Sequence, residues 1–297
     1  MANLSDSWTI ALHGGAGVTP GRDYAEVEAH LGRLVDEGEA RLASGESAFN
    51  TVEWAVGELE ASGLYTAGRG SAPNRAGVVE FDASIICGAS GRGGAVAALQ
   101  DVQSPVAAAR AVMERTPHVL LCGEGATAFA REIGLPAIGG DPDYYRLAIG
   151  VTAEEMRPAG DGLGHGTVGA AALDRQGRLA AATSTGGVFG KRPGRVGDTP
   201  ILGAGCWADR HVAASCTGIG EHFILAGGAG DVSARIRYGE AAPPEAMRAM
   251  LERVASFGGN GGLILVTADG QAHFDWNSNG LKRAAKGSRI ARTLAIL

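Results

Sequence analysis

Two short strands that are apolar on both faces constrain the fold of this chain more than any other feature. Residues 168–173, VGAAAL, and residues 178–183, RLAAAT, flank a polar turn at 174–177 that ends in glycine. Runs without alternation of polar and apolar residues are typical of strands buried on both sides, and the turn favours an antiparallel hairpin. We therefore predict a hairpin inside the core, which returns Thr185 to the neighbourhood of Thr167.

Thr167 stands at the start of this hairpin, directly after Gly166. A threonine hydroxyl is a weak nucleophile that needs an adjacent base, and one known arrangement uses the residue's own α-amine after the chain is cut in front of it. That amine titrates at about pH 7.7–8.0, close to the pH at which a general base works best. Glycine before it leaves the carbonyl open to attack. The alternative is an ordinary hairpin edge, and so short a motif does not decide between the two.

Seven short motifs follow one another along the chain. They are HGGAG at 13–17, GTVG at 166–169, AATSTGG at 181–187, PGRVGD at 193–198, GAG at 203–205, CTGIGE at 216–221 and GGNGGLI at 258–264. Each is weak alone, but the ordered set resembles the plant-type asparaginase and isoaspartyl peptidase family of N-terminal-nucleophile hydrolases. The resemblance covers nearly the whole chain.

The resemblance also implies an architecture. Buried strands with helical segments before and after them predict an α+β fold with two stacked antiparallel sheets between helical layers. In the family this is the four-layer αββα sandwich. We expect one domain over residues 1–297, cut between Gly166 and Thr167 into chains 1–166 and 167–297. The unpatterned stretch 139–164 predicts a mobile surface linker that leads to this cut.

Catalytic roles for four residues are implied by the same resemblance. Thr167 would be the nucleophile with its own α-amine as base, and Thr185 would hydrogen-bond it. The hydroxyl of Thr217 and the amide of Gly218 would hold the oxyanion that acyl chemistry generates. Without the resemblance, the Thr-Gly-x-Gly pattern predicts only a turn between a strand and a helix.

Substrate-binding residues are expected in two loops. Arginine can hold a carboxylate through a fork of two hydrogen bonds and aspartate can accept from an ammonium group, so Arg195 and Asp198 match the two charged ends of an amino acid. The alternative is a salt bridge within the loop. The resemblance implies that an aspartyl group is anchored by Arg195, Val196, Gly197 and Asp198, with Thr217, Gly218, Ile219 and Gly220 beside it.

Two features lie between residues 59 and 70, LEASGLYTAGRG. Thr66 stands where the family usually has asparagine, and it lacks the separate donor and acceptor of a carboxamide, which leaves the substrate preference open. The segment also resembles the family's sodium-binding loop, and the alternative is a simple turn. In that loop the ion is surrounded by the backbone carbonyls of Leu59, Glu60, Ser62, Tyr65, Ala67 and Arg69. We expect this structural sodium ion and no cofactor for catalysis.

Composition excludes several classes of partner. The net charge is −6 and lysine and arginine form no run, which disfavours nucleic acid. No window approaches 18 uninterrupted apolar residues, so we expect no membrane span. The first seven residues lack the pattern of a secretory signal, and the four cysteines form no C-x-x-C pair. We expect a cytoplasmic enzyme, and the resemblance implies a homodimer of α/β heterodimers.

The function implied by the resemblance is hydrolysis of β-aspartyl dipeptides and of L-asparagine, which releases L-aspartate. Three alternatives stay open. One is a glycosylasparaginase, although those enzymes tend to have asparagine where this chain has Gly186. The second is an enzyme like the threonine aspartases, and the third is a non-catalytic binding protein on the same scaffold.

Overall fold

A computed structural model of the protein describes residues 6–141, 143–146, 148 and 166–297. The linker predicted over residues 139–164 falls largely on positions outside these ranges, so its conformation stays a prediction.

The described part of the chain alternates between helices and short strands. The helices are α1 Ala25–Ala43, α2 Ala48–Ser62, α3 Pro105–Arg115, α4 Gly123–Glu132, α5 Gly220–Ala226, α6 Gly228–Gly239 and α7 Pro243–Ser256, with a 3₁₀ turn at Gly68–Gly70. The strands are β1 Thr9–Ala16, β2 Phe81–Cys87, β3 Arg92–Leu99, β4 Leu120–Cys122, β5 Val168–Leu173, β6 Leu179–Thr185, β7 Cys206–Ala208, β8 Val212–Gly218, β9 Gly261–Thr267, β10 Ala272–Trp276, β11 Leu281–Gly287 and β12 Thr293–Ala295. None of these helices is long and apolar enough to cross a membrane.

The strands form two sheets. The larger has the order β12-β11-β1-β5-β6-β2-β3-β4, and the smaller has the order β10-β9-β8-β7. Neighbouring strands run antiparallel except β3 and β4, which are parallel. The expectation of two purely antiparallel sheets is therefore wrong for the larger one. Helix α3 lies between β3 and β4 in the chain, and a helical crossover returns the next strand in the same direction.

The hydrophobic core is divided into three layers. The first lies between the larger sheet and helices α1 to α4, the second between the two sheets, and the third between the smaller sheet and helices α5 to α7. Strand β5 contributes side chains to two layers, because Ala170 faces the first layer and Ala171 faces the second. Side chains alternate across a strand, so a strand covered on both sides must be apolar at every position.

The predicted central hairpin is confirmed. Strand β5 pairs antiparallel with β6 from Val168 opposite Ser184 to Leu173 opposite Leu179. Asp174 closes the turn, because its Oδ1 accepts from the amides of Gln176 at 3.1 Å and Arg178 at 3.0 Å.

Helix α3 receives its cap from another helix. Ser104 precedes it, and serine at this position usually caps its own helix. Here the Ser104 hydroxyl instead donates to Glu60 Oε2 at 2.8 Å, and the Val106 amide donates to Glu60 Oε1 at 2.9 Å. Glu60 is fully buried on α2, so its carboxylate joins α2 to the start of α3.

We expect Glu60→Ala to lower the free energy of unfolding by about 1–3 kcal/mol, because two buried donors lose their acceptor. Urea unfolding followed by circular dichroism measures the change. Glu58→Ala is the control, since Glu58 is exposed on the same helix and exposed substitutions usually change stability by less than about 0.5 kcal/mol. Equal stability of the two variants would contradict the capping role.

Candidate active site

Thr167 lies at the entrance of the central hairpin. It directly precedes β5 and is 6% exposed, and its Oγ1 donates to Thr185 Oγ1 at 3.2 Å. Thr185 ends β6, so the hairpin brings the two hydroxyls together as the sequence predicts. The Thr185 oxygen also accepts from the Gly187 amide at 3.0 Å. These contacts fix the direction of the Thr167 hydroxyl.

The residue before Thr167 must be glycine. A Cβ placed on Gly166 would collide with Thr66 Oγ1 and Cβ. From the other side Gly15 approaches, since its own Cβ would lie 3.0 Å from Gly166 Cα. Thr66 is itself buried. The Gly166–Thr167 peptide therefore lies between Gly15 of β1 and Thr66 in the loop that follows α2.

A buried polar chain lies beneath Thr167 and joins the two sheets. His13 Nε2 is 2.8 Å from Ser215 Oγ, which is 2.7 Å from Thr183 Oγ1. A Cβ on Gly169, opposite His13 in the sheet, would collide with Ser215 Oγ. Burial lowers the pKa of His13 to about 3, so the imidazole is neutral at physiological pH. This chain supports the site and explains the second glycine of the Gly-Thr-Val-Gly motif.

A narrow cavity of about 10 Å³, partly open to solvent, adjoins Thr167. The structure thus brings together the proposed nucleophile, Thr185 and both charged residues of the Arg195–Asp198 loop. The residues that line the cavity are Gly166, Thr167, Thr185, Gly187, Val188, Arg195, Gly197, Asp198, Gly218 and Gly220.

Four residues that were predicted from the sequence to lie in the site are not among the residues that line the cavity. Thr217 is fully buried and its Oγ1 accepts from the Ala16 amide at 3.1 Å. The Ile219 amide donates to the carbonyl of Asn260 at 3.1 Å. Thr66 packs against Gly166, and Val196 lies within the loop whose other members face the cavity. The roles assigned to these residues stay predictions.

Asp198 presents an unpaired oxygen. The side chain is 3% exposed, and within the described residues its Oδ2 has no hydrogen-bond partner. Burial raises the pKa of Asp198 to about 7, against the opposing charge of Arg195. Buried polar atoms are nearly always hydrogen-bonded. An unpaired carboxylate oxygen at a cavity wall therefore fits a cationic or hydrogen-bond-donating ligand group.

Arg195 pairs with a residue outside its own loop. Its Nε donates to Glu221 Oε1 at 2.8 Å and its Nη2 donates to Glu221 Oε2 at 2.7 Å. The alternative prediction from the sequence was a salt bridge between Arg195 and Asp198 within the loop. The structure instead pairs Arg195 with Glu221. Glu221 follows the Thr-Gly-Ile-Gly motif, but its pairing with Arg195 could not be recognised from sequence spacing.

Three more buried charges position this loop, and sequence reasoning missed them. Asp82 accepts from the Gly197 amide at 3.4 Å, and Glu80 Oε1 accepts from the Gly194 amide at 3.1 Å. Lys191 Nζ donates to the carbonyl of Glu80 at 2.8 Å. The available signal was Glu80 and Asp82 at alternate positions beside a run of apolar residues, since buried carboxylates need partners.

The segment 59–70, where a sodium ion is predicted, places backbone carbonyls close to two of its glycines. A Cβ on Gly70 would collide with the carbonyl oxygen of Tyr65, and a Cβ on Gly68 would collide with that of Glu60. These oxygens thus face a turn that only glycine leaves open. The carbonyls of Leu59 and Arg69 accept hydrogen bonds of 2.8 Å from Ser62 and Arg146, and each carbonyl keeps a second lone pair. Within the described residues, no cluster of three or more His, Cys, Asp or Glu side chains could hold a metal.

Comparison with known proteins points to one family. A family model described as "Asparaginase" matches residues 6–296. The isoaspartyl peptidase of Salmonella typhimurium is 42% identical over 93% of this chain and 94% of its own length. The plant-type L-asparaginase of Pyrobaculum calidifontis is 42% identical over 93% and 95%. The isoaspartyl peptidase/L-asparaginase of Mus musculus is 37% identical over 96% and 89%.

Proposed function

The chain belongs to the asparaginase family, and on that premise we propose that it is an autoprocessed threonine hydrolase of β-aspartyl dipeptides and L-asparagine. The observation that supports this most directly is the 3.2 Å contact between the hydroxyls of Thr167 and Thr185 at a cavity lined by Arg195 and Asp198. The proposed nucleophile and the hydroxyl that orients it thus lie beside a positive and a negative side chain, which suit the two charged ends of an amino acid. The product common to both substrates is L-aspartate.

Maturation would begin at the peptide between Gly166 and Thr167. The Thr167 hydroxyl attacks the Gly166 carbonyl carbon, the C–N bond breaks as the nitrogen takes up a proton, and water hydrolyses the ester. The products are a carboxylate on Gly166 and a free α-amine on Thr167. The collision that any side chain at 166 would make with Thr66 supports a peptide held tightly enough for this attack.

In the mature enzyme the freed α-amine would take the proton of the Thr167 hydroxyl as that oxygen attacks the side-chain amide carbon of the substrate. The leaving ammonia or amine receives the proton, and water then hydrolyses the acyl ester. Arg195 would bind the substrate α-carboxylate and Asp198 its α-ammonium group.

The oxyanion would be held by the Gly218 amide and the Thr217 hydroxyl. Gly218 lines the cavity. The Thr217 oxygen accepts from the Ala16 amide, and a hydroxyl that accepts a hydrogen bond can still donate its own proton. Donors fixed before the reaction stabilise a developing charge without reorganisation.

The proposed architecture is one domain with the four-layer αββα sandwich of N-terminal-nucleophile hydrolases, cut into chains 1–166 and 167–297. The three core layers support it. A homodimer of α/β heterodimers and a cytoplasmic location remain predictions from the sequence. Native mass measurement of the matured protein tests the first, and fractionation of the source cells tests the second.

We expect Thr167→Ala to remain a single chain and to release no aspartate, because both cleavage and catalysis need the hydroxyl. Thr167→Ser keeps a hydroxyl and is the matched control, expected to be cut and active at a reduced rate. A denaturing gel with amino-terminal sequencing follows the cut. Aspartate release is measured with L-asparagine, a β-aspartyl dipeptide and a β-aspartyl glycan side by side.

Two fragments from purified Thr167→Ala would contradict self-cleavage at this residue. Preference for the glycan would favour a glycosylasparaginase. An uncut wild-type chain that binds aspartate without turnover would favour the non-catalytic alternative.

Substrate affinity is expected to depend on the ionisation of Asp198. Its pKa of about 7 is raised by burial and by the charges of Glu221 and Asp82, and opposed by Arg195. As the pH falls through 7 the carboxylate takes up a proton and loses its attraction for the substrate ammonium group. Aspartate affinity should therefore weaken by up to about tenfold per pH unit below pH 7.

Calorimetric titration of aspartate from pH 5.5 to 8 measures this dependence. Asp198→Asn should bind weakly at every pH and show no such decline, because it has no group that titrates at this position. A decline of the same size in Asp198→Asn would assign it to another residue.

We also propose a sodium ion at the 59–70 segment, supported by the carbonyl of Glu60 that approaches Gly68 and that of Tyr65 that approaches Gly70. An ion that binds only the folded protein raises the melting temperature with its concentration. We expect a higher melting temperature in sodium chloride than in choline chloride of equal ionic strength. Identical melting in the two salts would rule out a stabilising sodium site.

A further inference from the structure

Two of the five guanidinium donors of Arg195 are engaged before any substrate arrives. Nε and Nη2 bind the two oxygens of Glu221 in a fork with distances of 2.8 and 2.7 Å. A guanidinium carries five N–H donors, so three of them are not used by Glu221. We propose that Glu221 is a positioning residue that fixes Arg195 so that these remaining donors face the α-carboxylate of the substrate.

Burial distinguishes the roles of the two partners. The side chain of Arg195 is 14% exposed and that of Glu221 is 49% exposed. Arg195 lines the cavity, whereas Glu221 approaches it from outside the cavity wall. A buried cation without a partner carries a large desolvation cost. Glu221 offsets this cost while it leaves the side of Arg195 that faces the cavity available.

Geometry at Gly197 restricts the guanidinium from a second direction. A Cβ on Gly197 would lie 2.9 Å from Arg195 Nη1, so the guanidinium packs closely against the backbone of its own loop. One edge of the guanidinium is thus hydrogen-bonded to Glu221, and Nη1 lies close to the backbone of the loop. A planar group held at two points has little freedom to rotate, which favours recognition of a planar carboxylate.

The element that carries Glu221 is itself fixed to the binding loop. Glu221 lies in the first turn of α5, and a Cβ on the preceding Gly220 would lie 2.8 Å from the Asp198 amide nitrogen and Oδ1. Side-chain and backbone contacts therefore join α5 to the same loop. Glu221 is therefore carried by a helix that packs against the loop of Arg195 and Asp198.

The ionisation of Glu221 agrees with this role. The hydrogen bonds from Arg195 hold the pKa of Glu221 below its usual value. The carboxylate is therefore charged throughout the pH range in which Asp198 titrates, and any pH dependence of binding comes from other groups. The pair Arg195 and Glu221 is neutral overall, so Asp198 contributes the uncompensated charge that selects a substrate with an ammonium group.

The test compares Glu221→Gln with wild type. Glutamine keeps the size of the side chain but brings a donor against the Arg195 donors. We expect KM for L-asparagine and Kd for aspartate to rise about tenfold, as is typical of losing charge-assisted hydrogen bonds, with kcat unchanged. Glu252→Gln, at an exposed position of α7, is the control and should leave KM, Kd and kcat as in wild type.

A second variant separates positioning from general support of the fold. In Glu221→Ala, added formate can occupy the vacated carboxylate position, and we expect it to restore affinity for aspartate. In wild type, formate can only compete with the substrate. In an Arg195→Lys background, which lacks the fork, Glu221→Gln should weaken binding much less than it does beside arginine.

The inference rests on the proposed function, and the experiments distinguish a failure of the positioning role from a failure of the hydrolase function. No aspartate release by wild type refutes the function, while the Kd for aspartate still tests Glu221 in that protein. Unchanged or tighter aspartate binding in Glu221→Gln overturns the positioning role and leaves the hydrolase proposal intact. Loss of kcat with KM unchanged overturns it as well.

Discussion

The close contact between the two sheets, at the central hairpin and strand β8, is the constraint on which the rest of the structure depends. Alanine side chains such as Ala171, Ala181 and Ala213 pack between the sheets together with larger aliphatic side chains. The same contact carries a polar chain through His13, Ser215 and Thr183. Because this region is buried and the hydroxyls of Ser215 and Thr183 are paired, Thr167 lies at the end of a closely packed base.

Several glycines of the site are there because atoms of distant segments occupy the space of a side chain. Gly166 meets Thr66, Gly169 meets Ser215, and Gly220 meets Asp198. These positions do not require flexibility, since none of the three has a positive φ. The density of glycine around the proposed nucleophile reflects close approach of backbone segments, which a hydrolytic site needs if a small substrate is to be enclosed.

The binding loop is stabilised by charges that substrate chemistry alone would not require. Glu80 and Asp82 accept from backbone amides of the 194–197 segment, and Lys191 lies beside them. Burial raises the pKa of Asp82 and lowers that of Lys191. The opposite charge of each group opposes the shift of the other. These contacts hold the backbone of the loop, while within the described residues Oδ2 of Asp198 has no hydrogen-bond partner.

The amino-acid sequence by itself determined the central hairpin and the meeting of Thr167 with Thr185, because strand periodicity and turn chemistry act over a few residues. It also determined the family, through motifs that keep their order along the chain. Strands β7, β11 and β12 did not follow from it. Strands β7 and β12 are three-residue edge strands, and β11, LKRAAKG, has no regular alternation of polar and apolar residues.

Only the tertiary structure decided that Arg195 pairs with Glu221, that Asp82 supports Gly197, and that α3 is capped by Glu60. These partners are 26, 115 and 46 residues apart in the chain. A hydrogen bond is specified by distance and direction in space, and at such separations only the packing of the two sheets and their helices determines which side chains meet.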